Sequence, residues 1–258
     1  MIVVFNVDYL NELRIVEMER LLHSFPPGAR ILEFGAGTGR QARFLSDRGF
    51  DVVAIDLPDS SYAKQLVFPV MQYDGQHIPL DDQSIDVIFS SNVLEHVENI
   101  PTIMAEFRRI LRPSGFGLHV MPTPCWRLWT FLSGAANATV AAARIPKDLI
   151  HPPDKIGRWA SLARNMRAIV AGVIPLGHGI APEGISELWT FSRHAWVRKF
   201  RRNGFDVIQN WPMGLFYTGH MLLGKRLSFT RRQKLGRLLG SATQIYLVRA
   251  RETGVGRH

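Results

Sequence analysis

The stretch "ILEFGAGTGRQARFLSDRGFDVVAIDLPDS", residues 31–60, decides how the rest of the chain is read. An apolar run ends in Gly35, Gly37 and Gly39, and a second apolar run, "FDVVAID", closes on Asp56. Glycine at a strand-to-helix turn lets the main chain reach positive φ and approach a ligand closely. The helix that follows, "TGRQARFLSDRG", opens with unpaired N–H groups and stops at Gly49. Two ligand classes use such a turn. Gly37-Thr-Gly39-Arg-Gln-Ala42 fits the G-x-G-x-x-A form of a dinucleotide site. Asp56 does not separate the two, because in both an acid there accepts hydrogen bonds from ribose hydroxyls.

Strand and helix patterns alternate outward from this turn. A leading amphipathic helix carries Leu10, Leu13, Val16 or Glu17, and Leu21, and stops before Pro26-Pro27-Gly28. A short helix is expected near 60–66 and a weak strand near 67–72. "SIDVIFSSNVL" is a strong strand. "IPTIMAEFRRILRPSG" is a helix with Ile103, Phe107, Ile110 and Leu111 on one face, and "FGLHVMP" is the next strand. This alternation predicts parallel βαβ units. It breaks over 122–185, rich in Ala, Pro, Trp and Gly, which reads as a partly helical insertion. It returns with the helix "SRHAWVRKFRRNG" and the strands "FDVIQN" and "TQIYLVRAR", separated by a second insertion, 211–242.

The 258 residues, 46% of them hydrophobic, suffice for one sizeable core. With Cys125 as its one cysteine, the chain has no intramolecular disulfide, and a reducing, cytoplasmic setting is expected. The first residues show no signal-peptide pattern, and the longest uncharged run, between Arg127 and Arg144, is short for a membrane span. Net charge is +9, and Lys225, Arg226, Arg231, Arg232, Lys234, Arg237, Arg249, Arg251 and Arg257, against Glu252, supply +8 of it. Such a region suits a local anionic partner or serves as a solvated surface.

Three further features separate the ligand classes. Glu33, two residues before Gly35, suits a cationic amino group and repels pyrophosphate. Asp74-Gly75 follows the third strand, where an adenine amino group could be read. "IPLDDQSIDVIFSSNVLEHV" runs from an acidic turn through a strand to Leu94-Glu95-His96. With "ILRPSG" before the fifth strand, these features resemble the class I S-adenosylmethionine-dependent methyltransferases, specifically the type 11, ubiquinone-methylase-like group, whose E-x-G-x-G-x-G pattern is Glu33 to Gly39 here. The likeness spans about 28–121 strongly and 186–250 weakly. It implies an α/β fold: a Rossmann-like sheet of seven strands, the last antiparallel, with helices on both faces. The whole chain, 1–258, is then a single methyltransferase domain with an acceptor or lid region at 122–185. S-adenosylmethionine is the implied donor, held by Glu33, Gly35, Gly37, Gly39, Asp56, Leu57, Asp74, Gly75 and Ser91.

Methyl transfer needs alignment and exclusion of water, and a hydroxyl acceptor also needs a base. His96, after the fourth strand, is the first candidate, and the same "LEH" turn equally serves to fix the loop. Some relatives hold a divalent metal with E-x-x-E-H. Asn92 replaces the first acid here, so no metal is expected. His178 and His194 fall where the resemblance places an acceptor lid, and His151 is similar. His119 reads as a core histidine and Cys125 as a small buried hydrophobe. Trp126, Trp129, Trp159 and Trp189 form either an aromatic acceptor wall or the insertion's own core.

The expected activity is O-methylation of a small molecule, a glycan or a lipid-linked acceptor. The segment 211–242 favours a lipid partner, since Phe216, Leu222, Leu223 and Phe229 lie among cations suited to an anionic membrane surface. The same apolar residues would serve equally in the domain's core or in a homodimer. RNA or DNA methylation is the rival, although "SSNVL" lacks the family's base-holding tetrad. A non-catalytic partner subunit is the third class.

Overall fold

The computed structural model describes residues 7–58, 66–151, 153, 157–173, 185–219, 221 and 223–251. They form two compact units, one of residues 10–121, 193–213 and 243–258, the other of 1–9, 122–192 and 214–242.

The first unit holds a seven-stranded sheet. Its strands are β1 (Arg30–Phe34), β2 (Asp51–Asp56), β3 (Met71–Gln72), β4 (Ile85–Ser91), β5 (Leu111–Pro122), β6 (Phe205–Pro212) and β7 (Thr243–Ala250), in spatial order β3-β2-β1-β4-β5-β7-β6. β1 pairs in parallel with both β2 and β4, Leu32 lying beside Val53 and Ile88. That central place explains why Ile31, Leu32, Glu33 and Phe34 are all buried, as in a parallel strand covered on both faces. β7 runs antiparallel to β6, with Trp211 opposite Ile245. β5 begins five residues earlier than the apolar run predicts, because Leu111 pairs with Ile85 across a register shift.

Helix α1 (Val7–Leu21), α2 (Arg40–Ser46), α3 (Ile100–Ile110) and α7 (Arg193–Arg202) include the helices expected around the sheet. In α3 the Asn99 side chain caps the Thr102 N–H, and Ile103, Met104, Phe107 and Ile110 bury one face. Trp196 and Phe200, one turn apart on α7, join Phe107, Phe205 and Tyr246 in the same core. The helix expected near 60–66 falls mostly outside the described residues.

In the second unit, residues expected to be only partly helical form two long helices, α4 (Pro124–Ile150) and α5 (Gly157–Val173), and a short one, α6 (Glu187–Thr190). Thr123 caps α4, accepting from the Trp126 N–H while donating to the Ser241 carbonyl at 2.6 Å. Gly172 lies so close to α4 that a Cβ would overlap the Gly134 carbonyl oxygen.

In the insertion 211–242 the apolar residues divide between core and surface, with Leu223 exposed and Phe229 half-buried. Trp211 and Pro212 belong to β6, while Leu215, Phe216, Tyr217 and Met221 are buried. Helix α8 (Phe229–Leu239) follows, with Ser228 as its cap. Arg232, expected among the surface cations, is fully buried: it donates to Tyr9 Oη at 2.8 Å, the Phe216 carbonyl at 3.0 Å and the Gly224 carbonyl at 2.8 Å. Leu222 lies outside the described residues.

Candidate functional site

The site is built from the carboxyl ends of β1, β2 and β4, on both sides of the point where strand order reverses, the position at which open α/β sheets bind ligands. Phe34 ends β1, and Gly35, Gly37 and Gly39 all take positive φ, at 75°, 57° and 75°. Gly35 also has no room for a side chain, since a Cβ would overlap the Val93 methyls. The Gly35 and Ala36 N–H groups donate to the Ile55 carbonyl, at 2.9 and 3.0 Å, so the loop folds over the end of β2.

Asp56 fastens that loop. Its Oδ2 accepts from the Gly37 N–H and its Oδ1 from the Leu57 N–H, both at 2.7 Å. Asp74 Oδ1 accepts from the N–H groups of Gln76 and His77, at 2.8 and 2.7 Å, and these bonds hold its carboxyl below the usual range. In that turn Gly75 packs on Leu57, where a Cβ would stand 3.3 Å from Leu57 Cδ2. Leu57 and Gly75, distant in sequence, therefore share one wall.

Glu33 is buried beneath the loop. Burial pushes its carboxyl up to about 8; Ala42 N–H opposes the shift and the Asp56 charge adds to it. Its Oε2 has no hydrogen-bond partner among the described residues. A buried, unpaired carboxyl oxygen fits a cationic amino group, and the crowded glycines fit a ligand lying against bare backbone.

On the other side, Ser91 ends β4 and Asn92 follows with φ 55°. With its amide turned to satisfy its neighbours, Asn92 accepts from both terminal nitrogens of Arg14, at 2.7 and 2.9 Å. Arg14 also pairs with the buried Glu17 at 2.7 Å. Helix α1 thus fixes the loop that carries Val93 against Gly35, a tie that residues so far apart do not signal in the sequence. Asn92 is committed to Arg14 in place of the acid of the E-x-x-E-H pattern. Among the described residues no group of three or more His, Cys, Asp or Glu side chains is arranged to hold a metal ion.

Leu94–His96 makes one 3-10 turn, with Leu94 and Glu95 buried. His96 Nε2 stands 4.0 Å from Glu95 Oε1 with about half its side chain exposed. Partial burial lowers its pKa, favouring the uncharged imidazole. His194 is exposed in the first turn of α7, and no described contact ties it to the glycine loop. His178 lies outside the described residues. His119 is buried between the Phe107 and Phe200 rings; Ser90 Oγ is 2.8 Å from its Nδ1, and burial drives its pKa down to about 3.

The four tryptophans make no common wall. Trp126 is buried near Phe191, and Trp129 donates to the Leu239 carbonyl at 3.0 Å and meets the Phe216 ring edge-on. Trp159 and Trp189 are largely exposed. Cys125 is only partly buried and packs against Gly240; His151 is exposed.

A family model described as a methyltransferase domain matches residues 10–210. Malonyl-[acyl-carrier protein] O-methyltransferase of Serratia marcescens is 36% identical over 103 residues, 38% of this chain and 40% of that protein. An uncharacterized methyltransferase of Mycobacterium bovis is 33% identical over 143 residues, 50% of this chain and 55% of that protein. The chain spans about half the length, or less, of these curated relatives. Among solved structures, a Haloferax volcanii methyltransferase in complex with the Trm112 activator aligns with TM-score 0.55 at 15% identity, covering 96% of this chain and 95% of that one. A SAM-dependent methyltransferase from Archaeoglobus fulgidus aligns with TM-score 0.53 at 14% identity, covering 92% and 93%. At these identities the structures speak for the fold.

Proposed function

The chain belongs to the methyltransferase-domain family, and from that premise we propose that it is an S-adenosylmethionine-dependent methyltransferase acting on an oxygen of a small-molecule, glycan or lipid-linked acceptor, with His96 as the base. The donor supplies a methyl group made electrophilic by its positively charged sulfur. Glu33 would pair with the donor's ammonium group, the Gly35–Gly39 backbone would lie along its chain, and Asp56 would accept from its ribose hydroxyls. Leu57 and Gly75 would flank its adenine, with Asp74 and Ser91 at the edges.

The observation that carries the oxygen reading is His96, a half-exposed imidazole in the turn just after β4. An acceptor hydroxyl gives up its proton as the oxygen–carbon bond forms, and neutral Nε2 can take it. The name of the Serratia relative, an O-methyltransferase, supports oxygen as the atom methylated. A nucleic-acid acceptor is the second reading, favoured by the exposed Lys225, Arg226, Arg231, Lys234 and Arg237.

The test is methyl transfer from labelled donor into extracts of cells lacking the protein. The reading expects label in a small molecule, glycan or lipid fraction, and a His96→Asn protein slower by ~100-fold or more, the usual weight of a positioned base. Label confined to RNA or DNA, or an unimpaired His96→Asn protein, contradicts it.

A further inference from the structure

In the hairpin of α4 and α5 the usual arrangement of polar and apolar faces is reversed. Between the helices lie mostly small and polar side chains, Gly134, Ala138 and Ala141 from α4 and Ser161, Asn165 and Gly172 from α5, with Ile145 and Leu162 meeting near the turn. Asp148 of α4 accepts from Ser161 Oγ at 2.5 Å and from Asn165 Nδ2 at 2.9 Å. Helices joined by small residues and side-chain hydrogen bonds, with larger apolar residues outside, follow the packing rules of helices in lipid.

The outer faces fit that reading. Leu128, Leu132, Ala136, Val140 and Ala143, three or four residues apart, form an exposed stripe on α4, within a stretch, 128–143, that has no charge. Trp159, Ala163, Met166 and Val170 form the matching stripe on α5. At the end where the chain turns back, Ile150 is 69% and Trp159 77% exposed.

Charge identifies the occupant. Lys147, Arg158 and Arg167 are exposed on the same two helices, as is Arg164, which stands 3.7 Å from Asp148. Their one acid among the described residues, Asp148, is largely buried between them. Apolar stripes beside cations alone, with a tryptophan at the tip, match an anionic lipid surface. A second copy would set cation against cation, and nucleic acid would leave the apolar stripes uncovered. No helix among the described residues is long and apolar enough to cross a membrane.

We propose that the α4–α5 hairpin docks the protein on anionic bilayers, with the outer stripes of both helices, Ile150 and Trp159 included, entering the headgroup boundary and the hairpin's lysine and arginines meeting lipid phosphates. This surface is distinct from the 211–242 segment, and it stands whichever acceptor is methylated, because docking requires no methyl transfer.

The test is cosedimentation of the full-length protein with phosphatidylcholine vesicles, with and without phosphatidylglycerol. Pelleting is expected only with phosphatidylglycerol. Ile150→Ser combined with Trp159→Ser should weaken it by roughly tenfold or more, given the apolar area removed. Calorimetric binding of S-adenosylhomocysteine by that variant verifies its fold. Quenching by brominated phosphatidylglycerol gives a second reading on a single exposed residue: it should fall in Trp159→Phe. Wild-type protein left in the supernatant overturns the proposal. So does a folded double variant that pellets like wild type, or binding lost instead on replacing Lys225, Arg226, Arg231, Lys234 and Arg237 by Gln. A dimer that the double variant converts to monomer, without any vesicle binding, assigns the face to a second copy and overturns it too.

Discussion

Asp56 Oδ2 accepts a 2.7 Å hydrogen bond from the Gly37 N–H, so the acid that ends β2 sets the shape of the glycine loop that ends β1. One carboxylate therefore has two tasks. It holds the loop, and in the proposed donor site it would also accept from the ribose hydroxyls.

Glu33 should make stability depend on pH and, in the proposed donor site, donor binding as well. Its folded pKa is about 8, above an ordinary 4.5. The unfolded chain therefore loses this proton first, and the contribution to stability, fully present below about pH 4.5, is lost as pH rises toward 8. Between those limits Glu33→Gln should remove a slope of ~1.4 kcal/mol per pH unit. Pairing with the donor's ammonium should ionise Glu33, so binding at pH below about 8 should release a proton. Titrations in buffers of different ionisation enthalpy measure it; no release by wild type, or equal release by Glu33→Gln, would disprove the pairing.

Gly35 and Val93 should behave as a coupled pair. Gly35→Ala places a methyl on the Val93 side chain and on a backbone with φ 75°. Thermal unfolding should show a loss of about 1–3 kcal/mol, the usual range for overpacking. Val93→Ala should return part of it, leaving the strain of the positive φ. Strictly additive losses would mean the two residues do not share that space.

Arg232 should act through stability alone. Arg232→Met leaves Tyr9 Oη and the Phe216 and Gly224 carbonyls without their donor, at ~1–3 kcal/mol for each buried group left unsatisfied. Arg231→Gln, on the exposed side of the same helix, should stay within about 0.5 kcal/mol. Denaturant unfolding compares them, and equal effects would contradict the burial of Arg232.

The parts legible in the sequence are those whose pattern agrees with their packing. "ILEF" and most of "IDVIF" are buried, "VVAID" buries Ala54 and Ile55, and all three read as apolar runs, while the alternating glycines mark the turn they serve. Helices α4 and α5 were obscured because their inner faces are mostly small and polar while Leu132, Val140 and Met166 face outward, so no apolar stripe points to a core. Arg232 looks in sequence like its neighbours, and only the carbonyls gathered around it show a structural cation. The bond from Arg14 to Asn92 depends on strand order, which local pattern does not carry. Sequence does not sort the four tryptophans, because the buried Trp126 and the exposed Trp159 each stand next to an arginine, Arg127 and Arg158.

The most direct test of the donor site is a calorimetric titration of S-adenosylhomocysteine into wild-type protein and into Asp56→Ala. Asp56→Ala removes the loop's 2.7 Å anchor and the charged acceptor for the ribose together. The wild type should bind, and Asp56→Ala should bind more weakly by about 1.5–3 kcal/mol, the weight of hydrogen bonds to a charged group. Equal affinity in a folded Asp56→Ala protein, or tighter binding of NAD than of S-adenosylhomocysteine by the wild type, would contradict the placement of the methyl donor between Glu33 and Asp56.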